Sequence, residues 1–505
     1  MRTMPPLFAV RHVCAIEGST VVITHDKHVD SPDPSNHFSS LQEQRALLQQ
    51  IRQELIQHYR PVLQQGAGAI RVMARLVNEL ESRCRELHIS PTVMQAEITN
   101  RTIGDVNVRL ITECEGEPGG PGDYRMLADE LGVALPGEDL SGYAATGETY
   151  LWLRDQMLQI ERELLQQGID LRIYDILATG NRVLRAQLAE HVRDWGITAT
   201  ADQVYLGLGA MDTLDKTLRG LAHVARVTNQ LPIGILFPEP GFGTPEWQAN
   251  SHGYTLHRFA TSASNLFKLT PGQLDDQLQQ FADLRVIYLT VSSNPTTFAY
   301  TPEELNALFA VLRPYWQAGR EIYLLADLAY IGTGVPADDR ARMATFADPE
   351  VWPHTLFAHS LSKTHTLTGD RFGWVTMGNP QLAAEIAPAW ANSMASLPAD
   401  WQLRFMAYVK LIDERPWLSE KLRAFYRYRR ARLVAQLRKI DAEQHLFEQV
   451  YLGDDATVYN WSQLRPDEDA FSLFEKTGIA GVPGSGFGYS DEFVRFAIGV
   501  IPIPD

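Results

Sequence analysis

The sequence predicts an α/β fold with a mainly parallel sheet flanked by helices. From Val204 onward, short apolar runs alternate with segments of helical periodicity, and this alternation is typical of βα units. Four such runs cover residues 205–208, 233–237, 286–291 and 322–326. Because parallel sheets bind ligands at the carboxyl ends of their strands, we expect a small-molecule site at that edge.

The chain divides into three predicted regions. Its 505 residues are enough for two or three domains. Residues 39–87 carry two successive patterns of apolar residues at helical spacing, and a proline- and glycine-rich stretch at 118–122 predicts a linker. We predict a largely helical extension over residues 1–125, a large α/β domain over 126–375 and a small α+β domain over 376–505. The part of the second region before about residue 180 is predicted to form an arm of the small domain.

The composition and charge of the chain disfavour several classes of function. The chain has 61 Asp and Glu against 45 Lys and Arg, and this net charge of -16 disfavours binding to nucleic acid or an anionic membrane. Cys14, Cys84 and Cys114 are too few and too scattered for a disulfide framework or a zinc site. No apolar run reaches the roughly 18 residues of a spanning helix, and residues 1–19 lack the apolar segment of a signal peptide. We therefore expect a cytoplasmic protein without a metal, nucleic-acid or membrane partner.

The stretch 360–373 carries the strongest chemical signal. Lys363 lies among short hydroxyl residues, and Gly369 and Gly373 flank Arg371. An amine in a dry pocket can be neutral enough to attack a carbonyl, whereas hydroxyls and a planar guanidinium suit a phosphate. The combination predicts an imine-forming lysine beside a phosphate clamp.

Four further features follow predicted strands. A glycine-rich turn at 207–209 opens a helix, whose free amides can hold a phosphate. Phe242 and Asn294 lie in proline-containing turns, and Asp327 ends a very apolar strand, where a carboxylate needs a partner. Each of these four features also has an ordinary structural explanation. The glycines can form a tight turn and Phe242 can be a core aromatic. Asn294 can start a turn, and Asp327 can cap a helix. Near the end of the chain, Arg495 lies in an apolar strand-like run, where a buried guanidinium would need an anion.

Taken together, these motifs resemble those of the class I/II aminotransferases, which are fold-type-I enzymes dependent on pyridoxal phosphate. The lysine stretch matches the family pattern Ser-x-Ser-Lys, five residues, then Gly-x-Arg-x-Gly, and the other segments follow in the family's order. The resemblance covers about residues 150–504 and leaves residues 1–125 unexplained. It implies the fold-type-I architecture and a homodimer or higher homo-oligomer.

The resemblance also implies roles for individual residues. Lys363 would form a Schiff base with the cofactor and act as general base, and Asp327 would pair with the pyridine nitrogen. Tyr330 and Asn294 would contact the phenolic oxygen, and Arg495 would bind the substrate α-carboxylate together with Asn294. The implied catalytic residues are Lys363, Asp327 and Tyr330. The implied cofactor-binding residues are Gly209, Ala210, Met211, Phe242, Asn294, Asp327, Tyr330, Ser360, Lys363 and Arg371.

The implied activity is the transfer of an α-amino group from an L-amino acid to a 2-oxo acid. One alternative is a lyase, a β-decarboxylase, or an enzyme of β- or γ-elimination, replacement or carbon–carbon bond formation. Thr297 replaces the usual glycine of the family's Asn-Pro-Thr-Gly motif, and this departure is compatible with these other reactions. Another alternative is an aminotransferase-like transcription regulator, but residues 1–130 hold 13 Lys and Arg against 17 Asp and Glu. Tyr174 is a candidate for the tyrosine that a partner subunit supplies, although it lies six residues before Gly180 where the family's usual spacing is five.

Overall fold

The computed structural model describes residues 40–65, 68–104, 149–169, 172, 174–365, 367–453 and 457–498, and the fold is stated for these residues. The predicted linker at 118–122, Cys14 and Cys114 lie outside them. The strands are β1 (Thr99–Asn100), β2 (Val204–Leu208), β3 (Gly234–Glu239), β4 (Thr255–Ala260), β5 (Leu284–Thr290), β6 (Tyr323–Asp327), β7 (Thr355–Ser360), β8 (Phe372–Met377), β9 (Phe447–Val450), β10 (Tyr459–Leu464), β11 (Ile479–Ala480), β12 (Val482–Pro483) and β13 (Phe493–Ala497).

Helices connect and cover these strands. They are Leu41–Gln64, Ala69–Glu86, Pro91–Glu97, Thr149–Gln166, Arg182–His191, Ala210–Val227, Thr244–Ser251, Pro271–Gln280, Pro302–Gln317, Pro336–Ala344, Leu361–Thr364, Pro380–Ile386, Pro388–Ala391, Ala399–Glu414, Trp417–Gln444 and Ala470–Thr477. Capping residues determine where several helices begin. At Pro302–Gln317, for example, Thr301 and Glu304 form a capping box. Among the helices of the described ranges, none has an apolar stretch long enough to cross a membrane.

A seven-stranded sheet forms the centre of the molecule, in the order β2-β8-β7-β6-β5-β3-β4. Strand β8 is antiparallel to β2 and β7, and the other neighbouring strands are parallel. Side chains of β6 alternate between two apolar cores, with Leu324 and Ala326 in one and Leu325 in the other. Helices therefore cover both faces, which confirms the predicted mainly parallel sheet flanked by helices.

A second, antiparallel sheet has the order β12-β13-β10-β9, and β1 pairs in parallel with β11. The N-terminal helices share a core with this part of the chain, since Leu48 and Leu76 cluster with Phe474 and Phe496. Arg60 also forms an ion pair with Asp469 at 2.5 Å. The described part of the N-terminal extension is therefore an integral layer of the smaller domain.

The core of the large domain extends further along the chain than the boundary predicted at residue 375. Trp390 packs against Tyr205 of β2, and Phe405 stacks on Phe372 of β8 with ring centroids 4.5 Å apart. The helix Thr149–Gln166, predicted to lie in an arm of the small domain, packs on Ala399–Glu414. These helices cover apolar surface of the central sheet, so the large core includes residues up to about 414 and also the segment from 149.

Candidate active site

The predicted site residues gather around one cavity of about 490 Å³ at the carboxyl ends of the parallel strands. Of the predicted catalytic, cofactor-binding and substrate-binding residues, all except Gly209 line it. These lining residues are Ala210, Met211, Phe242, Asn294, Asp327, Tyr330, Ser360, Lys363, Arg371 and Arg495. Because they come from many separate segments, their convergence follows from the topology of both sheets.

Lys363 is held at the cavity by the turn that follows β7. Ser360 begins the short helix Leu361–Thr364, and its Oγ accepts a hydrogen bond from the Ser362 amide at 3.1 Å. The Tyr426 hydroxyl donates to the carbonyl oxygen of Lys363 at 2.6 Å. The Lys363 Nζ donates to the carbonyl oxygen of Gly104, which belongs to the N-terminal extension. The amine therefore faces the cavity and meets a backbone acceptor there.

Asp327 places a buried carboxyl group at the end of β6. The Tyr288 hydroxyl donates to its Oδ2 at 2.5 Å, and the Ala329 amide donates to its Oδ1 at 2.9 Å. Burial raises the pKa of Asp327 above the ordinary value of 3.8, although both hydrogen bonds act in the opposite direction. A cationic N–H group in the cavity would stabilise the ionised carboxylate.

Arg495 is buried, with 2 % of its surface exposed. Its Nη1 donates to Asn294 Oδ1 at 3.0 Å, and its Nη2 donates to the carbonyl oxygen of Thr102 at 2.7 Å. The guanidinium lies over the ring of Tyr459, 4.2 Å from the centroid. Since Arg495 binds the oxygen of the Asn294 amide, the nitrogen of that amide can donate to a ligand in the cavity.

Tyr330 lies beside this group. Its hydroxyl donates to the Tyr459 hydroxyl at 3.2 Å. Burial, and to a lesser extent Tyr459, raises the pKa of Tyr330 well above its ordinary value of 10.0. The phenol is therefore neutral near pH 7 and can share a hydrogen bond with an anionic oxygen.

An anion site lies where Arg371 meets the start of the helix Ala210–Val227. Gly209 precedes this helix with φ +85°, and no side chain caps the first amides. A Cβ atom on Gly209 would overlap the Arg371 guanidinium, and one on Gly373 would lie 2.5 Å from the carbonyl carbon of Gly209. Only glycine allows this close approach of a cation to a helix N-terminus, and both groups favour an anion such as a phosphate.

Sequence reasoning missed several residues that line the cavity. Ile70, Ile103 and Gly104 come from the N-terminal extension, and Tyr459 comes from β10. Ser362 also lines it, and its buried Oγ has no hydrogen-bond partner within the described part of the chain. Ser362 was visible among the hydroxyl residues around Lys363, but its sequence position does not show which hydroxyl faces the cavity.

Phe242 and Tyr174 occupy different places relative to the cavity. Phe242 lines the cavity, and its stacking on a cofactor ring stays a prediction. Tyr174 lies away from this cavity and has 79 % of its surface exposed, so its contribution to a partner subunit also stays a prediction.

Comparisons with known proteins give aminotransferases of similar sequence. An LL-diaminopimelate aminotransferase of Maridesulfovibrio salexigens is 27% identical over 213 residues, which are 41% of this chain and 50% of that protein. The aspartate aminotransferase of Bacillus subtilis is 27% identical over 237 residues, which are 46% of this chain and 57% of that one. The chain thus spans only about half the length of these two relatives.

The fold has a counterpart among solved structures. An archaeal alanine:glyoxylate aminotransferase superposes with a TM-score of 0.61 at 15% identity, covering 86% of this chain and 91% of that one. At this identity the likeness is one of fold, and it confirms the predicted fold-type-I architecture.

A family model described as aminotransferase class I and II matches residues 178–501. That range includes every predicted cofactor and substrate residue and omits the N-terminal extension. The match covers more than half of the chain and agrees with the resemblance seen in the motifs around Lys363. The chain therefore belongs to the class I and II aminotransferase family.

Proposed function

We propose that this protein is a pyridoxal-phosphate-dependent aminotransferase that moves the α-amino group of an L-amino acid to a 2-oxo acid. The observation that carries the proposal is the convergence of an amine, an anion site, a buried carboxyl group and a buried guanidinium on one cavity. These groups are supplied by Lys363, Arg371, Asp327 and Arg495. The family supports the same activity.

The residues present fit pyridoxal phosphate. Arg371, the amides at the start of Ala210–Val227 and the unpaired hydroxyl of Ser362 would hold the phosphate. Asp327 would accept a hydrogen bond from the pyridine nitrogen, and the burial that raises the pKa of Asp327 makes a cationic partner favourable there. Asn294 would donate to the phenolic oxygen, and Tyr330 would do so in place of its hydrogen bond to Tyr459. Phe242 would contact the ring.

When bound, pyridoxal phosphate supplies an aldehyde that condenses with amines and a ring that withdraws electrons from the substrate α-carbon. Arg495 orients the substrate by binding its α-carboxylate, and Asn294 keeps the guanidinium in place. The Lys363 amine is the group available to take the proton from the α-carbon and to give it back. Burial of Arg495, Asp327 and Tyr330 excludes water from the reacting groups.

The names of the similar proteins give a first panel of amino donors. The relatives named above act on LL-diaminopimelate and aspartate according to their names, so these two amino acids belong in the first donor panel. Alanine joins them because of the structural neighbour.

The experiment is an absorbance spectrum of the purified, cofactor-loaded protein before and after single amino acids are added without any oxo acid. We expect one donor to convert the bound cofactor stoichiometrically to pyridoxamine phosphate, with one equivalent of oxo acid released. Lys363→Ala should show neither change. Consumption of the amino acid with the cofactor returned unchanged would instead favour the lyase or replacement chemistry. A wild type that cannot be loaded with pyridoxal phosphate would contradict the cofactor proposal.

We also propose that the active unit is a homodimer, in which Tyr174 reaches the phosphate of the partner subunit. Its exposure supports this role. The test mixes two inactive variants, Lys363→Ala and Tyr174→Ala, and allows their subunits to exchange. Recovery of about a quarter of the wild-type activity would support sites shared between subunits, because only one of the two sites in a mixed dimer is intact. A mixture without recovery of activity, despite demonstrated exchange of subunits, would contradict the shared site.

The cytoplasmic location stays a prediction.

A further inference from the structure

We infer that Lys216 is a positioning residue for the anion site, and that it acts by pairing with Asp212 at the start of the helix Ala210–Val227. Its positive charge cancels the negative charge of Asp212, so that the helix start and Arg371 remain able to bind a phosphate. The inference rests on the proposed function, because pyridoxal phosphate is the ligand proposed for this site.

Lys216 is a buried lysine of the large domain, with 1 % of its side chain exposed. Its Nζ donates to Asp212 Oδ2 at 2.6 Å, one turn back along the same helix. Lysine is almost never fully buried unless its charge is paired, and a buried ion pair contributes little net stability compared with apolar packing. The effect of the pair is therefore expected at the groups that Asp212 contacts.

Asp212 connects this pair to both halves of the anion site. The same Oδ2 atom accepts a hydrogen bond from the Leu208 amide at 2.8 Å. The carbonyl oxygen of Leu208 accepts from Arg371 Nη2 at 3.4 Å. Leu208 also directly precedes Gly209, after which the free amides of the helix begin. A hydrogen-bonded connection therefore runs from Lys216 through Asp212 and Leu208 to the Arg371 guanidinium.

The turn before the helix is packed closely against Asp212. A Cβ atom on Gly207 would lie 2.8 Å from Asp212 Oδ2 and 2.5 Å from Thr213 Cγ2. Thr213 is fully buried, and its Oγ1 donates to the carbonyl oxygen of Ala210 at 2.9 Å. A change in the position of the Asp212 carboxylate would therefore shift the backbone that presents the free amides.

The charge balance at the helix start depends on Lys216. Asp212 lies in the first turn of Ala210–Val227, and the N-terminus of a helix is equivalent to about half a positive charge. A full negative charge on Asp212 would more than cancel this and would repel a phosphate. The Lys216 ammonium group neutralises Asp212, so the positive end of the helix acts together with the Arg371 guanidinium on an anion.

Lys216 acts on the anion site from outside the catalytic cavity. Ala210 and Arg371 are among the residues that line this cavity, and Lys216 is not among them. Its influence on a bound phosphate has to pass through Asp212, which makes it a positioning residue.

The test measures how much the phosphate group contributes to cofactor binding. Pyridoxal and pyridoxal phosphate differ only in the phosphate, so the dissociation constant of pyridoxal divided by that of pyridoxal phosphate reports the anion site. Titration of the cofactor-free protein, followed by absorbance, gives both constants. We expect Lys216→Met to lower this ratio about tenfold to a hundredfold. A general loss of structure would instead weaken both ligands equally and leave the ratio unchanged.

A second substitution separates the charge of Lys216 from its packing. Asp212→Asn removes the negative charge but keeps an oxygen that can accept from the Leu208 amide. The double variant with Asp212→Asn and Lys216→Met should therefore recover the ratio to within a few-fold of the wild type. A double variant with a ratio as low as that of Lys216→Met would overturn the inference, because the loss would then come from packing.

Lys268→Met is the matched control. Lys268 is also buried, pairs with Glu304 at 2.8 Å and is not among the residues that line the catalytic cavity. Its substitution removes a comparable ion pair and should leave the ratio unchanged. An equal fall in the ratio for both lysine variants, or no fall for Lys216→Met, overturns the inference even if the protein transaminates.

Inorganic phosphate distinguishes failure of this inference from failure of the proposed function. Its binding to the cofactor-free protein, measured by calorimetry, should weaken in Lys216→Met and recover in the double variant. If the wild type does not bind pyridoxal phosphate but binds inorganic phosphate with this dependence, the proposed function fails while the role of Lys216 stands. If the wild type binds neither ligand, both proposals fail.

Discussion

Arg495 and Asn294, which are 201 residues apart in the chain, are joined by a hydrogen bond of 3.0 Å inside the cavity. The bond links the small domain, which carries Arg495 on β13, to the loop after β5 of the large domain. It fixes the guanidinium relative to the strand ends where the other site residues lie. The relative position of the two domains therefore decides whether the site is complete.

Asn294→Ala should weaken substrate binding more than it affects folding. The substitution leaves the buried Arg495 Nη1 without its acceptor and removes the amide that faces the cavity. A hydrogen bond to a charged group contributes about 1.5–3 kcal/mol, so we expect KM for the amino donor to rise about tenfold or more. Steady-state kinetics measure the change, with thermal unfolding as the control. An unchanged KM would show that Thr102 and Tyr459 are sufficient to hold Arg495.

Asp327→Asn should preserve the structure and remove the carboxylate charge. The asparagine can still accept from Tyr288 or Ala329, so the cofactor-free protein should fold normally. We expect kcat to fall about a hundredfold or more, because a preorganised charge at the reacting group is lost. Activity within a few-fold of the wild type would contradict the proposed role of Asp327.

The same variant should change how stability depends on pH. Burial raises the pKa of Asp327 in the folded protein, so the folded state binds more protons than the unfolded state just above pH 3.8. The stability of the cofactor-free wild type relative to Asp327→Asn is therefore greatest at low pH and falls as pH rises through the folded pKa. Thermal unfolding of both proteins between about pH 4 and pH 8 measures the difference, and a constant difference would contradict the prediction.

Thr297→Gly should stabilise the protein. Thr297 is a buried β-branched residue at φ +70°, and its Oγ1 has no partner among the described residues. Such backbone strain costs about 1–3 kcal/mol, which exceeds the roughly 1 kcal/mol lost with the buried methyl group. We expect a net gain of about 1 kcal/mol in the free energy of unfolding. Denaturation by urea tests this expectation.

A substitution at Gly453 tests the contact between this residue and Thr297. A Cβ atom on Gly453 would overlap the Thr297 side chain, so Gly453→Ala should destabilise the wild type. Gly453 has φ +64°, and part of that cost will persist in any background. The double variant with Thr297→Gly should therefore recover part of the loss, whereas simple additivity would show that the two residues do not interact.

Ser362→Ala should lower the affinity for pyridoxal phosphate about fivefold to tenfold, because its unpaired hydroxyl is available to the phosphate. The stability of the cofactor-free protein should not fall, since no hydrogen bond within the described structure is lost. Titration followed by tryptophan fluorescence measures the affinity. Ser419→Ala, which removes a hydroxyl bonded to His365 instead, is the control and should leave cofactor affinity unchanged.

The sequence was most informative where chemistry demands particular residues at the ends of strands. Local patterns predict Lys363, Asp327 and Arg495. Lys363 and Asp327 come together because parallel strands end at one edge, whereas Arg495 reaches the cavity from the antiparallel sheet of the small domain. The wall formed by Ile70 and Gly104 was not predictable, because it depends on how the N-terminal helices pack on the small domain. The packing of the helix Ala399–Glu414 on the core of the central sheet likewise depends on which helix faces cover that sheet.

The catalytic cavity takes its wall both from the range of the family match and from outside it, since Ile70 and Gly104 precede residues 178–501. Changes in the extension could therefore alter which amino acids enter while Lys363 and Asp327 stay as they are. Substrate specificity could then change through mutations in the extension while the catalytic residues stay constant. A new specificity could therefore evolve without loss of catalytic activity.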